Sequence, residues 1–563
     1  MHRSRILASI LKQYNKTGSV DSYIRFISSS SSRHGANEAT ADIAKAPWAR
    51  AALAAFAATS VGVGYTAISS SLSGSDTSAA QCHGPAAVSV TGLPVYDKEE
   101  VAKHKTKDTR VWITYKDGVY DVTEWIDQHP GGSVRVMMAA GGAIDPYWAM
   151  YAQHNTDQVR TILEGYRIGR LKGGAPPVEN PYANEPQDRL AALQVRSKQP
   201  MNAETPLEFL ADSLITPNEL FYIRNHLPVP EVDLKNYKLH IGGEGLRELT
   251  FSLEDLKTKF KKHSITAVLQ CTGNRRVDLQ KEPGSKQIKG LSWEGAAIGN
   301  AVWSGVLLKD VLAMAGLDNT GSDPAVQHIQ FEGLDQDTTG SVYGASIPIS
   351  KALDPRGDVL LAYEMNGEPL NRDHGAPLRV IVPGVAACRS VKWLSKIIAS
   401  PEESRSFWQR EDYKSFSPSV DWDTVDWGSA PAIQNMPVTS QICYPSNGST
   451  VDVIGGAVTV KGYAWSGGGN GIIRVDVSSD NGKNWTTAEL KKVPQEISRG
   501  WAWTLWEAEV PLPEKYEKGT PVTITAKAVD ESYNTQPERA DAIWNLRGVC
   551  CNTWPKVLIT PEE

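Results

Sequence analysis

Between Leu171 and Pro186 the chain runs Leu-Lys-Gly-Gly-Ala-Pro-Pro-Val-Glu-Asn-Pro-Tyr-Ala-Asn-Glu-Pro. Proline brings no amide proton and paired glycines favour no single backbone well, so neither a helix nor a sheet ladder passes through such a stretch. Its few apolar side chains give it nothing to bury. It reads as an extended, partly flexible tether, although an ordinary interdomain loop would look the same. The chain must therefore fold as separate units on either side. Its 563 residues are in any case too many for one core and suggest three or four domains.

Composition narrows the class of those units. With 41% apolar and 22% charged residues the chain is an ordinary globular protein. A net charge of -6 and a pI near 6.1 argue against a nucleic-acid binder, which works by neutralising phosphates. Cysteines at 82, 271, 388, 443, 550 and 551 are too sparse for a disulfide scaffold, and the adjacent pair could join only under strain. No CxxC or HExxH run is present, so a structural zinc site is not expected.

Residues 1–93 read as an address label. The first 37 carry Arg3, Arg5, Lys12, Lys16, Arg25 and Arg33, a serine run at 28–32 and the single acid Asp21. Ile6, Leu7, Ile10, Leu11 and Tyr14 share one helical face, which is the composition of a mitochondrial presequence. An uncharged stretch follows at 51–68, at the short limit for a bilayer span. It is either an inner-membrane anchor or a sorting signal removed in the intermembrane space.

Residues 94–171 read as a compact α+β unit. Val111-Trp-Ile-Thr-Tyr and Val119-Tyr-Asp-Val are strand-like, with Asp117-Gly118 as the turn signal between them. His129 then stands in His-Pro-Gly-Gly, and His154 follows in Tyr-Ala-Gln-His-Asn. A six-coordinate b-type haem needs two opposed imidazoles, and glycines let backbone approach the ring edge. The run resembles cytochrome b5, which implies that His129 and His154 both bind haem iron. With both axial positions filled, that iron should carry single electrons rather than activate substrates.

After the tether (172–187), residues 188–435 read as a mixed α/β unit. Within it Cys271 lies in Leu-Gln-Cys-Thr-Gly-Asn-Arg-Arg, beyond Arg224 of Arg-Asn-His-Leu-Pro-Val-Pro. Neighbouring guanidiniums lower a thiol pKa, and the thiolate is the form that ligates metals. The two runs resemble the molybdenum-cofactor domain of the sulfite oxidase and nitrate reductase family. The resemblance implies that Cys271 is the only protein ligand to molybdenum and that a molybdopterin is held by Tyr222, Ile223, Arg224, Asn225 and His226. It further implies a grip on the pterin and its phosphate from Asp335, His374, Arg379, Arg389, Ser390, Val391 and Lys392. Fixed cations suit a buried phosphate. Ser390 departs from the histidine common in animal relatives.

Two chemistries occur in that family. Its sulfite-oxidising branch has three arginines, a tyrosine and a tryptophan around the substrate, matching Arg224, Arg276, Arg547, Tyr413 and Trp293 here. Nitrate reductases tend to carry methionine at the position of Arg547 and asparagine at that of Tyr413. They also place haem after molybdenum and add a flavin module, whereas here the haem unit comes first. The resemblance therefore implies sulfite oxidation, with electrons passing through haem to cytochrome c. A nitrate reductase-like enzyme and a non-catalytic haem electron carrier are the alternatives.

Residues 436–563 show short alternating strands such as Ala457-Val-Thr-Val-Lys-Gly-Tyr-Ala-Trp and Val522-Thr-Ile-Thr-Ala-Lys-Ala-Val, with the hairpin signal Asp480-Asn-Gly. They suggest an immunoglobulin-like sandwich. The family resemblance implies that this unit makes a homodimer. The tryptophan-rich run Trp501-Ala-Trp-Thr-Leu-Trp is either sandwich core or interface.

Overall fold

The computed structural model describes residues 92–562, apart from 130–132, 152–153, 155, 175–179, 283–287, 318–320, 322–323 and 515. The presequence and the apolar stretch 51–68 lie outside the described residues, as does the middle of the tether. Among the described residues no helix is long and apolar enough to cross a membrane.

The first unit is a five-stranded sheet in the order Val95–Tyr96, Arg167–Leu171, Gly118–Asp121, Trp112–Tyr115, Gly142–Ala143. Its central hairpin pairs Tyr115 with Gly118, so the turn residues are Lys116 and Asp117, one position earlier than the Asp-Gly signal suggests. Lys116 takes the left-handed φ of 53°. Gly118 is needed inside the strand, where a Cβ would run into the Tyr120 ring. Val111, Ile113, Tyr120, Ile126, Ile144 and Leu163 form the core beneath. The helix Asp157–Glu164 starts where Thr156 accepts the Val159 N–H, which stops the chain just past His154.

The second unit is sheet-rich. One sheet runs Leu249–Phe251, Leu239–Gly243, Leu394–Ser400, His328–Gln336, Val342–Pro348, antiparallel except where Leu394–Ser400 meets Leu239–Gly243. His328–Gln336 alternates buried and half-buried residues, as a strand with one face on a core should. Ile329 and Phe331 on that face are fully buried, each contributing about 1.5–3 kcal/mol by removal from water. The second sheet is built on His263–Gln270, Ile298–Leu307 and Leu360–Met365. Ile298–Leu307 is buried along nearly its whole length, including the polar Asn300 and Ser304. A three-stranded sheet of Gln194–Lys198, Met201–Glu204 and Ile223–Arg224 stands beside them.

The C-terminal unit is a β-sandwich. Thr439–Tyr444, Ala457–Trp465, Thr504–Pro511 and Glu489–Lys492 form one sheet. Thr450–Asp452, Lys556–Glu562, Val522–Asp530, Ile472–Ser478 and Thr486–Thr487 form the other. The tryptophan run divides. Trp506 lies on a strand and is buried in the sandwich core. Trp501 and Trp503 precede the strand and reach the second unit, where Trp501 Nε1 donates to Asp358 and Trp503 Nε1 to the Leu214 carbonyl. Both rings are buried within one chain, so they serve core and seam between units.

Arg275 locks that seam. Its guanidinium donates to Asp278, to the Ser440 carbonyl and to both oxygens of Thr553, the last two residues belonging to the sandwich. Arg275 is 1% exposed, so its removal would strand buried acceptors. Replacing it with alanine is expected to cost on the order of 3 kcal/mol. The check is a urea midpoint against wild type; an unchanged midpoint would count against the seam.

Candidate active site

The strand His263–Gln270 delivers Cys271 to the floor of a cavity. Cys271 N–H donates to the Ala297 carbonyl at 2.9 Å, and Asn274 N–H donates to the Cys271 carbonyl at 3.0 Å. Asn274 Oδ1 accepts the Ala297 N–H at 3.0 Å, and its Nδ2 donates to Tyr463 at 3.0 Å. The thiol's backbone is thus held from both sides. The next turn separates two arginines that look equivalent in sequence. Arg275 sits at a left-handed φ of 62° ahead of the helix Arg276–Gln280. That reversal sends Arg275 to the sandwich and turns Arg276 away from it, against Gly273, where a Cβ would lie 2.5 Å from Arg276 Nη2.

The cavity, counted together with the solvent space at its mouth, spans about 640 Å³. Tyr222, Arg224, His226, Cys271, Asp335, His374, Arg379, Ser390, Lys392 and Tyr413 all line it, brought together from segments nearly two hundred residues apart. Gly375, at φ 104°, lets Lys392 and Arg379 close on one another: a Cβ there would sit 3.0 Å from Lys392 Cβ and 3.2 Å from Arg379 Cβ. Lys392 Nζ donates to Asn225 Oδ1 and to the Asp373 carbonyl. Arg379 donates to the His374 and Ser390 carbonyls, and Ser390 Oγ accepts the Val382 N–H.

Other expected residues stand behind the wall. Asn225 is buried between Lys392 and Asp373. Ile223 packs with Leu193 and Ala203, and Val391 joins the main core. Arg389 is fully buried and spends its donors on Ile433, Trp408, Gln409 and the Tyr413 carbonyl, so it braces the cavity's far side without facing it. Trp293 packs in the apolar cluster that includes Cys271. Arg276 donates to the carbonyls of Leu291, Arg547 and Gly548. Arg547 is paired with Asp412.

The Tyr413 hydroxyl joins these groups. It accepts from Arg224 Nη2 at 3.4 Å and is hydrogen-bonded to His226 Nε2. Tyr413 follows a π-helical turn at Trp408–Asp412, an irregularity that aims its side chain inward. Burial pushes the phenol pKa up, with Arg224 opposing. Burial holds His226 well below the ordinary histidine range, reinforced by the charges of Arg224, Lys392 and Arg547, so its imidazole is neutral. His374 is lowered to about 4, chiefly by burial.

Cation excess dominates the cavity. Burial brings Lys392 down to about 7 and Arg379 down to about 10, and it raises Asp335 to about 7. Arg224 Nε, Arg379 Nε and Asp335 Oδ1 are buried with no hydrogen-bond partner. Each such group costs about 1–3 kcal/mol unless a ligand satisfies it. A polar, anionic group carrying both donors and acceptors fits this set, as a phosphorylated pterin does. Cys271 and Cys388 each bring to the cavity lining a thiol of the soft type that binds metals.

In the first unit, the His129 and His154 rings lie parallel within 10° with centroids 6.0 Å apart. Direct stacking would bring them closer; the gap matches the width that a metal ligated from both sides needs. His154 Nδ1 lies 3.1 Å from the Tyr151 carbonyl, a contact that favours the proton on Nδ1 and leaves Nε2 the lone pair.

Some site residues give no sequence signal. On the strand Met201–Glu204, Asn202 Oδ1 accepts from Arg224 Nη1 and the Asn225 N–H. Two positions on, the buried Glu204 carboxylate accepts from the N–H groups of Glu294, Gly295 and Ala296, directly after Trp293. Their spacing places both on one strand face, but their partners lie up to 92 residues away. Asp373, Tyr343 and Phe221 also line the cavity. Only Asp373, next to His374, could have been found by its motif.

Residues 226–408 match the family of the oxidoreductase molybdopterin binding domain. Residues 430–562 match the Mo-co oxidoreductase dimerisation domain, and residues 97–172 the cytochrome b5-like heme/steroid binding domain. A mitochondrial sulfite oxidase of Drosophila melanogaster is 51% identical over 474 residues, covering 83% of this chain and 81% of its own length. That of Homo sapiens is 50% identical over 469 residues, covering 82% and 84%. Among solved structures, the sulfane dehydrogenase SoxCD from Paracoccus pantotrophus is similar with a TM-score of 0.53 at 26% identity, covering 69% of this chain and 97% of that one. With half its residues shared over four-fifths of its length, and with a molybdopterin unit between a haem unit and a dimerisation unit, the chain belongs to the sulfite oxidase family.

Proposed function

We propose that this chain oxidises sulfite to sulfate and delivers the electrons one at a time to cytochrome c. The observation that carries the reading is the convergence of Cys271, Arg224, His226, Tyr413, Arg379 and Lys392 on one buried cavity. When bound, a molybdenum–pterin group supplies two-electron oxygen-atom transfer there, and a b-type haem supplies one-electron transfer in the first unit.

The protein's own residues do the rest. Cys271 would hold the metal, while Lys392, Arg379, His374, Asp335 and Ser390 would hold the pterin and its phosphate. Arg224, Arg276 and Arg547 offset the desolvation of a small dianion. Neutral His226 cannot add charge, but it fixes the Tyr413 hydroxyl beside Arg224, where substrate oxygen would be oriented. Trp293 and the surrounding apolar cluster keep water from the reacting atoms. His129 and His154 would hold the haem iron between them and keep it to electron transfer. The enzyme acts in the mitochondrion; the intermembrane space, where cytochrome c resides, is the compartment proposed. Residues 430–562 pair two copies as a homodimer.

The test is sulfite-dependent reduction of cytochrome c by the purified protein, with nitrate as control. Turnover with nitrate and none with sulfite would overturn the reading. The cavity's charge makes a second prediction. An anion bound against Lys392 must raise its pKa from about 7, so binding takes up a proton above that pH. Asp335, also near 7, changes in the same direction. Sulfate, doubly charged throughout, should therefore bind cofactor-free protein best below pH 7. Its affinity should fall as pH rises, by up to about tenfold per unit for each proton taken up. Calorimetry between pH 6 and 9 checks this; a flat or rising affinity would refute it.

A further inference from the structure

The elements bearing Arg276 and Arg547 rest on one small apolar core apart from the cavity. Leu279 of the Arg276–Gln280 helix, Ile288, and Trp544 and Leu546 beside Arg547 pack together there. Trp422 and Trp427, from the segment that follows Tyr413, cover them. A lysine with no role assigned so far lies in the middle of this arrangement. The Lys289 ammonium is 4.4 Å from the centre of the Trp422 ring, and the Arg547 guanidinium is 5.6 Å from the same ring. On its other side, Gly290 (φ 132°) backs directly onto Arg276: a Cβ there would lie 3.1 Å from Arg276 Cζ.

Lys289 thus shares the Trp422 ring with Arg547, and its chain neighbour Gly290 backs onto Arg276. Burial lowers its pKa, Asp423 opposes the shift and Arg547 adds to it. Asp412, paired with Arg547, and Asp423, near Lys289, offset two of the three positive charges of Lys289, Arg276 and Arg547. The net positive charge that the group keeps serves stability poorly. It does serve an anion, whose arrival relieves the repulsion and whose approach is steered by the shared field.

We propose that Lys289, positioned by Trp422, forms with Arg547 an outer anion subsite that gathers doubly charged sulfite before it reaches Arg224 and Arg276. This deepens the sulfite-oxidising reading and rests on it. Lys289 is here a specificity-determining residue, and Trp422 is a positioning residue that keeps the two cations apart yet facing one approach.

The experiment uses the full-length enzyme loaded with both cofactors. Replacing Lys289 with glutamine should raise KM for sulfite about fivefold at low ionic strength while leaving kcat within about twofold, since uniform attraction to the anion is what is lost. The inhibition constant for sulfate should rise by a similar factor. Both differences should shrink at about 0.5 M salt, where screening extends to within a few ångströms of each charge. Lys289→Arg should keep the wild-type KM, and Trp422→Leu should raise it. An unchanged KM and sulfate constant in Lys289→Gln at low salt would overturn the proposal, as would a loss confined to kcat. If Lys289→Gln does not fold, Lys289→Met carries the same readout. If wild type fails to oxidise sulfite, it is the functional reading that falls, and direct sulfate binding to wild type and variant still decides the subsite.

Discussion

Replacing Cys271 with serine is expected to lower sulfite oxidation by about three orders of magnitude or more, equivalent to at least about 4 kcal/mol of lost transition-state stabilisation. Serine is close to cysteine in size, and the contacts that hold residue 271 are main-chain ones to Ala297 and Asn274. The fold should therefore survive, with a urea midpoint close to wild type. A thiolate is a soft metal ligand, whereas a serine hydroxyl is hard and stays protonated near neutral pH. Molybdenum content and steady-state rate, measured on the same preparation, check the prediction. Full activity in Cys271→Ser would remove the metal assignment altogether.

Replacing His154 with alanine should abolish haem binding, because one of two opposed imidazoles is lost, with the Nε2 lone pair that the Tyr151 contact favours. The haem absorbance should vanish from purified protein, and cytochrome c reduction should fall to a few per cent or less. Oxidation of sulfite by a small artificial acceptor, able to take electrons at the cavity itself, should persist. That division of activities separates an enzyme from a plain haem carrier. Retention of the haem spectrum in His154→Ala would show that another residue ligates the iron.

The facing of His129 and His154 was legible in sequence because both residues and the loop glycines lie within one short stretch. The cavity residues were legible for a different reason. Arg-Asn-His-Leu-Pro-Val-Pro, Leu-Gln-Cys-Thr-Gly-Asn-Arg-Arg and Arg-Asp-His-Gly-Ala-Pro-Leu-Arg are each local runs whose residue types suit an anionic, metal-bearing ligand. What those runs leave open is direction. Arg379 and Arg389 read alike, yet one faces the cavity and the other is spent on carbonyls behind it.

Sequence alone determined which chemistry this chain can host: a bis-histidine haem unit, one thiol among fixed cations, and a β-sandwich marked by alternating strands. Tertiary structure alone decided which side chains meet. The left-handed turn at Arg275 assigns two adjacent arginines to different neighbours. Asn202 and Glu204 brace Arg224 and the Trp293 loop across long stretches of chain, and Trp422 brings Lys289 and Arg547 to one ring. Residue type and local spacing are carried by covalent order, whereas contacts between distant segments exist only once the cores that hold them have formed.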